Sequence, residues 1–148
     1  MRHINQSAKK VMDKLVKNLN KPGDARVFDA HNYTKRWNGG IMAVHVQNIG
    51  NISSTGSGNL YSIAHYYKQN GDLMRDPEMI FLASQRINRK YELVDTYYPI
   101  YFRQDPYTEE ESGIIEDGKI TKYRPKIQAE HTKFANLWLQ NIKKQQNL

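Results

Sequence analysis

Ile4, Ala8, Val11, Met12, Leu15, Val16 and Leu19 recur at steps of three and four, a spacing that lines them along one side of a helix. Lys9, Lys10, Lys14 and Lys17 fall mostly off that stripe. Lys21-Pro22-Gly23 predicts the helix end, because a residue before proline is pushed out of the helical region and glycine supplies a turn. Residues 24–40 carry no clear period; Arg26–Phe28 is the candidate for a short strand, and Asn38-Gly39-Gly40 reads as a turn. From Ile41 the period falls to two. Met42, Val44 and Val46 alternate with Ala43, His45 and Gln47, as in a half-buried strand. Gly50–Asn59, polar and glycine-rich, predicts a mobile loop.

Runs of β-branched and aromatic residues follow at strand length: Leu60–Tyr67, Met79–Ser84, Tyr91–Tyr97 and Ile100–Arg103. Pro99 cannot donate to a ladder, so the last two are separate strands or one strand broken at an edge. Asp117-Gly118, between Gly113–Glu116 and Lys119–Tyr123, predicts a two-residue hairpin. After Pro125 the helical period returns, with Ile127, His131, Phe134, Leu137, Trp138 and Ile142 on one face. Glu130 near the start of that segment and Lys143 and Lys144 near its end suit a helix dipole. The expected fold is α+β: an antiparallel sheet of five or six strands, flanked by an N-terminal and a C-terminal helix packed on one face.

At 148 residues the chain fits a single domain spanning 1–148, long enough to bury a core without a staple. It has no cysteine, which excludes thiolate nucleophiles, Cys-ligated zinc and disulfides. The N-terminus has charges on every turn and no apolar signal core, and no segment approaches the roughly 20 apolar residues of a membrane span. A soluble, cytoplasmic protein is expected. The net charge of +7 is unevenly spread. Residues 1–40 hold nine Lys/Arg against three Asp/Glu, residues 41–118 six against eleven, and residues 119–148 seven against one. Basic ends around an acidic middle either satisfy each other within the fold or present one face to a partner, nucleic acid foremost.

The acidic cluster Asp72, Asp76 and Glu78, with His65 nearby, is the candidate catalytic set, since carboxylates and an imidazole can hold a divalent ion or move protons. On the predicted strands, Asp72 and Asp76 lie in a loop at one sheet end, where Gly-Asp and Asp-Pro also serve as plain turn formers. A two-metal nuclease would place a Glu-x-Lys on the next strand; Tyr91-Glu92-Leu93 lacks the lysine. No histidine pair has the i, i+4 spacing of a zinc helix, Ser53–Ser57 form no nucleophile elbow, and Gly56-Ser57-Gly58 lacks the lysine of a phosphate loop. No metal or cofactor is expected.

Ten tyrosines, among them the pairs Tyr66-Tyr67 and Tyr97-Tyr98, are a heavy load for this length. Adjacent strand residues point to opposite faces, so one of each pair reaches the outer face of the sheet. Tyr66, Tyr98 and Arg103 are the partner-binding candidates there: tyrosines beside arginine stack bases or anchor a protein interface, and otherwise fill cross-strand pairs. Lys126, Lys133, Lys143 and Lys144 on the C-terminal helix are candidates for contacting phosphates.

The wording of Ile63–Met79 (IAHYYKQNGDLMRDPEM), Tyr97–Asp105 (YYPIYFRQD) and Tyr123–Gln146 resembles an uncharacterised domain family carried on plasmids, conjugative elements and phages, chiefly of Bacteroides-like bacteria. The likeness covers most of residues 60–146 and implies a genetic setting without a reaction. The first expectation is a non-enzymatic accessory protein of a mobile genetic element that binds a nucleic acid or a protein. The second is a metal-dependent hydrolase or nuclease built on Asp72, Asp76, Glu78 and His65. A third is a small-ligand sequestering protein using the tyrosine-lined sheet.

Overall fold

A computed structural model describes residues 1–31, 42–52 and 58–148. Helix α1 (Gln6–Leu15) starts at Asn5, whose side chain accepts from the Ala8 N–H at 2.9 Å. That bond satisfies one of the donors that open every helix. The helix ends at Leu15, well before the Pro22-Gly23 stop expected from sequence. Asn18 takes a left-handed backbone (φ 65), and the Leu19 carbonyl then accepts from Asn48 Nδ2 at 3.0 Å and the Tyr61 hydroxyl at 3.1 Å. Val16 and Leu19 stay buried in this return segment, which is why the apolar period outlasts the helix.

Six strands follow in chain order: β1 (Ala25–Phe28), β2 (Val44–Ile52), β3 (Gly58–Gln69), β4 (Asp72–Ile87), β5 (Leu93–Gln104) and β6 (Thr108–Glu111). Each pairs antiparallel with its sequence neighbour, so the sheet is a meander in the order β1 to β6. A separate hairpin, β7 (Gly113–Glu116) with β8 (Lys119–Tyr123), precedes helix α2 (Pro125–Gln145). The α+β expectation holds, with the hairpin added to a six-stranded sheet.

Three local expectations change. The predicted loop between Tyr67 and Met79 is a continuous β3–β4 hairpin closed by Asn70-Gly71, whose φ values of 53 and 86 are the left-handed pair that a tight hairpin demands. Gly50–Ile52 and Gly58-Asn59 belong to β2 and β3 rather than to a loop, and Ser53–Ser57 lie outside the described residues, as do Ile41 and the Asn38-Gly39-Gly40 turn. The runs on either side of Pro99 form one strand, because Pro99 and Ile100 sit where the β4–β5 register shifts and no ladder donor is required.

The sheet has two clad faces. On one, α1 and α2 cover Tyr61, Ile63, Met79, Phe81 and Tyr97 with Val11, Met12, Leu15, Trp138, Leu139 and Ile142. The alternate residues Leu60, Ile80, Leu82 and Tyr98 point the other way, where Ile115 and Ile120 of the β7–β8 hairpin and Met1 meet them around Ile100. Helix α2 is rotated from the face expected of it. Phe134 and Leu137 are exposed, while Gln128, Thr132, Ala135 and Leu139 are buried. Gln128 explains the turn: its amide accepts from the Arg2 N–H at 2.8 Å and donates to the Arg2 carbonyl at 2.7 Å and the Pro99 carbonyl at 3.1 Å. A fully bonded amide is as well placed in the core as an apolar side chain.

Candidate functional site

Antiparallel pairing sets Ala64, Glu78 and Arg103 abreast on the sheet face away from the helices. Around them lies one polar network. The Ser62 hydroxyl donates to Glu78 Oε2 at 2.5 Å, and Arg75 Nε donates to Glu78 Oε1 at 3.0 Å. Asp105 accepts from the Arg75 backbone N–H and from Arg103 Nε, both at 2.7 Å, and Arg75 Nη1 stands 3.8 Å away. The Tyr101 hydroxyl donates to Glu109 of β6 at 2.8 Å. Two carboxylates, Glu78 and Asp105, face two guanidinium groups, so the cluster neutralises itself.

The Arg75 backbone N–H, with Arg103 and Arg75 beside it, holds the Asp105 carboxyl below the usual range. Burial, helped by the bond to Glu109, pushes Tyr101 up to about 12. Asp105 is held in its ionised form, and Glu78 is bonded by an arginine and Ser62, with no histidine beside Ser62 to activate it. The network pins β3, β4 and β5 together; it is a clamp.

The four sequence-predicted catalytic residues separate along this hairpin. Asp72 is exposed beside the Asn70-Gly71 turn, paired in register with Gln69. Asp76 accepts from Gln104 Nε2 at 2.5 Å, and Glu78 belongs to the clamp. His65 is buried on the helix side, edge-on to Trp138 with ring centroids 5.4 Å apart, and its Nε2 has no hydrogen-bond partner. Burial drives its pKa down to about 4, against a smaller opposing effect of Asp76. Among the described residues no three His, Asp or Glu side chains gather as they would around a metal ion.

Tyr66, Tyr98 and Arg103 share the outer face but form no open aromatic patch. Tyr66 is half-buried with its ring 5.0 Å from that of His45, Tyr98 is covered from the β7–β8 side and meets His3, and Arg103 is held by Asp105. Among the described residues the most exposed tyrosines are Tyr91 and Tyr107, at 91% and 94%.

The lysines lead elsewhere. Because α1 and α2 pack side by side on one sheet face, the lysines of the two helices share a single layer. Lys10, Lys14, Lys17, Lys126, Lys133, Lys143 and Lys144 are all exposed. Arg2, Lys126 and Lys133 line a groove of about 650 Å³ at the start of α2, with Glu130 the one acidic side chain among the described residues that line it. Lys10, Lys14 and Lys143 line a second, of about 430 Å³, between α1 and the end of α2, with Asp13 the one acidic side chain among the described residues that line it. Asp13 is already paired to Lys9 at 2.7 Å and bonded by the Tyr97 hydroxyl at 2.7 Å. Among the described residues no lysine of α2 lies within ion-pair distance of a carboxylate. No ion pair among the described residues joins a lysine or arginine of 1–40 or 119–148 to a carboxylate of 41–118. The sequence singled out the α2 lysines as contact candidates and placed Lys10 and Lys14 only off the apolar stripe of the first helix; what brings them and Arg2 beside α2 is the packing of the two helices, which no charge tally shows.

No helix among the described residues is long and apolar enough to cross a membrane. A family described as a domain of unknown function (DUF6908) matches residues 8–148. No curated protein and no solved structure matches the chain.

Proposed function

Because the chain belongs to the DUF6908 family, whose description carries no activity, we propose its function from its surface: a non-enzymatic accessory protein that binds nucleic acid through the helical layer. The observation that carries this reading is the pooling of the α1 and α2 lysines on one face, with those of α2 in no ion pair among the described residues and two cationic grooves beside them. Exposed lysines on a helical surface suit phosphate backbones, which they contact without reading sequence. The mobile-element setting comes from the resemblance of the Ile63–Met79 wording, and a cytoplasmic site of action goes with it.

The test is binding to short single- and double-stranded DNA and RNA across salt concentrations. Four to seven phosphate contacts give a log–log salt slope of about −4 to −6 on duplex DNA. Reversing Lys126, Lys133, Lys143 and Lys144 to glutamate should flatten the slope by about 3 or more and abolish binding at moderate salt. Absence of binding at low salt, or binding indifferent to the four reversals, refutes the reading.

A further inference from the structure

Among the described residues the pairing of β3 with β4 reaches as far as Gly58 and Ser84, and β4 and β5 run on past it as a two-stranded finger. Gln85, Arg86 and Ile87 pair there with Asp95, Val94 and Leu93. The finger's turn is tightly built. The Asn88 N–H donates to the Glu92 carbonyl at 2.9 Å and the Tyr91 N–H to the Asn88 carbonyl at 3.1 Å. The Asn88 side chain accepts from the Lys90 and Glu92 N–H groups at 2.9 and 3.0 Å. Four hydrogen bonds thus fix a five-residue loop and force Tyr91 into a left-handed backbone, φ 59. Bulky L side chains rarely adopt that conformation, and strain of this kind gathers where a residue is held for use. What the loop holds out is a ring 91% exposed, flanked by Ile87 at 66% and Leu93 at 70%.

Charge decides what meets it. Arg86, Arg89 and Lys90 are exposed and outnumber the finger's two acids, Glu92, which is exposed, and Asp95, which is half-buried at its base. Arg86 also shares a small groove with His3 and Lys9, so the finger's cations continue onto the edge of the helical layer. A polyanion lying on that layer reaches the finger, and a flat exposed ring among cations is suited to an unpaired base.

We propose that the β4–β5 finger is a single-strand contact arm: Tyr91 stacks on an unpaired base of a nucleic acid whose neighbouring phosphates meet Arg86, Arg89 and Lys90. The proposal rests on the nucleic-acid reading above and adds to it a preference for unpaired strands.

The experiment uses the full chain and single-stranded oligonucleotides carrying 2-aminopurine, whose fluorescence is quenched by stacking. Wild type and Tyr91→Phe should quench it; Tyr91→Gly should not, and should bind about fivefold to a hundredfold more weakly, the worth of one stacked base. The salt slope should stay the same in Tyr91→Gly, and its thermal midpoint should rise, because glycine occupies φ 59 without strain. Equal affinity and quenching in Tyr91→Gly overturns the arm while leaving the helical-layer reading intact. No oligonucleotide binding by wild type overturns both. Binding of anionic phospholipid vesicles that depends on Tyr91, with no quenching, overturns the arm in favour of a lipid surface.

Discussion

Replacing His65 with leucine should remove a defined part of the protein's acid sensitivity. The imidazole is 6% exposed, edge-on to Trp138, with Nε2 unpartnered, and burial lowers its pKa from 6.5 to about 4. The unfolded chain therefore binds a proton that the folded chain refuses. The sign follows directly: stability is full above about pH 6.5 and is lost as pH falls towards 4. The gap of about 2.5 units corresponds to about 3 kcal/mol in all, of which about 2 kcal/mol is gone by pH 5. For a chain of this size that is a fall of roughly 4–8 °C in thermal midpoint. His45 and His131, also lowered chiefly by burial, add to the wild-type loss, while Asp95, raised by burial, opposes it. The difference between the two proteins isolates His65. Urea unfolding of both at pH 7.5, 6 and 5 is the assay. Leucine fills a similar volume, so the two should agree within about 1 kcal/mol at pH 7.5 and diverge by about 2 kcal/mol at pH 5. Parallel curves would show that the buried imidazole is not what acid attacks.

Gly113 lies so close to β5 that an added Cβ would stand 2.7 Å from Ile100 Cγ2 and 2.9 Å from Ile100 Cβ. Gly113→Ala should cost about 1–3 kcal/mol in urea unfolding, the usual penalty of overpacking; a change within the error of the method would mean that the β7–β8 hairpin yields freely. Asp105→Asn removes the charge that two arginines address at a side chain 7% exposed, and should cost about 1.5–3 kcal/mol at neutral pH. Its folded pKa is lowered, so the wild-type advantage should be present above the ordinary carboxylate range and fade as pH drops through the folded value. An unchanged acid limb in the variant would assign that limb elsewhere.

Elements written in short-range code were legible. The apolar residues named for the first helix are all buried, and Asp117-Gly118 closes its hairpin with φ values of 52 and 73. What failed depended on partners far along the chain. Strand β6, Thr108–Glu111, is too acidic to read as a strand and exists because β5 offers it an edge. Helix α2 turned away from its expected face because Gln128, polar in any hydropathy pattern, finds three partners at Arg2 and Pro99. The clamp could not be read either: Glu78 and Arg103 were singled out separately, but only register sets them abreast and adds Ser62, Arg75 and Asp105. Tyr91 was hidden for a related reason. It reads as the start of a β run, and the turn that exposes it is specified by the Asn88 side chain.

The Arg2–Gln128 bond spans 126 residues, and that distance has a consequence for synthesis on the ribosome. At about 5–20 residues per second, α1 emerges on the order of ten seconds before the helix that completes its cover. Over that interval Val11, Met12 and Leu15 have only the growing meander to lean on. The nascent chain thus passes through a stage in which the sheet is complete and its helix-side face half-bare. A chaperone that holds apolar surface, or a protease that cuts it, has its best opportunity there, before α2 docks.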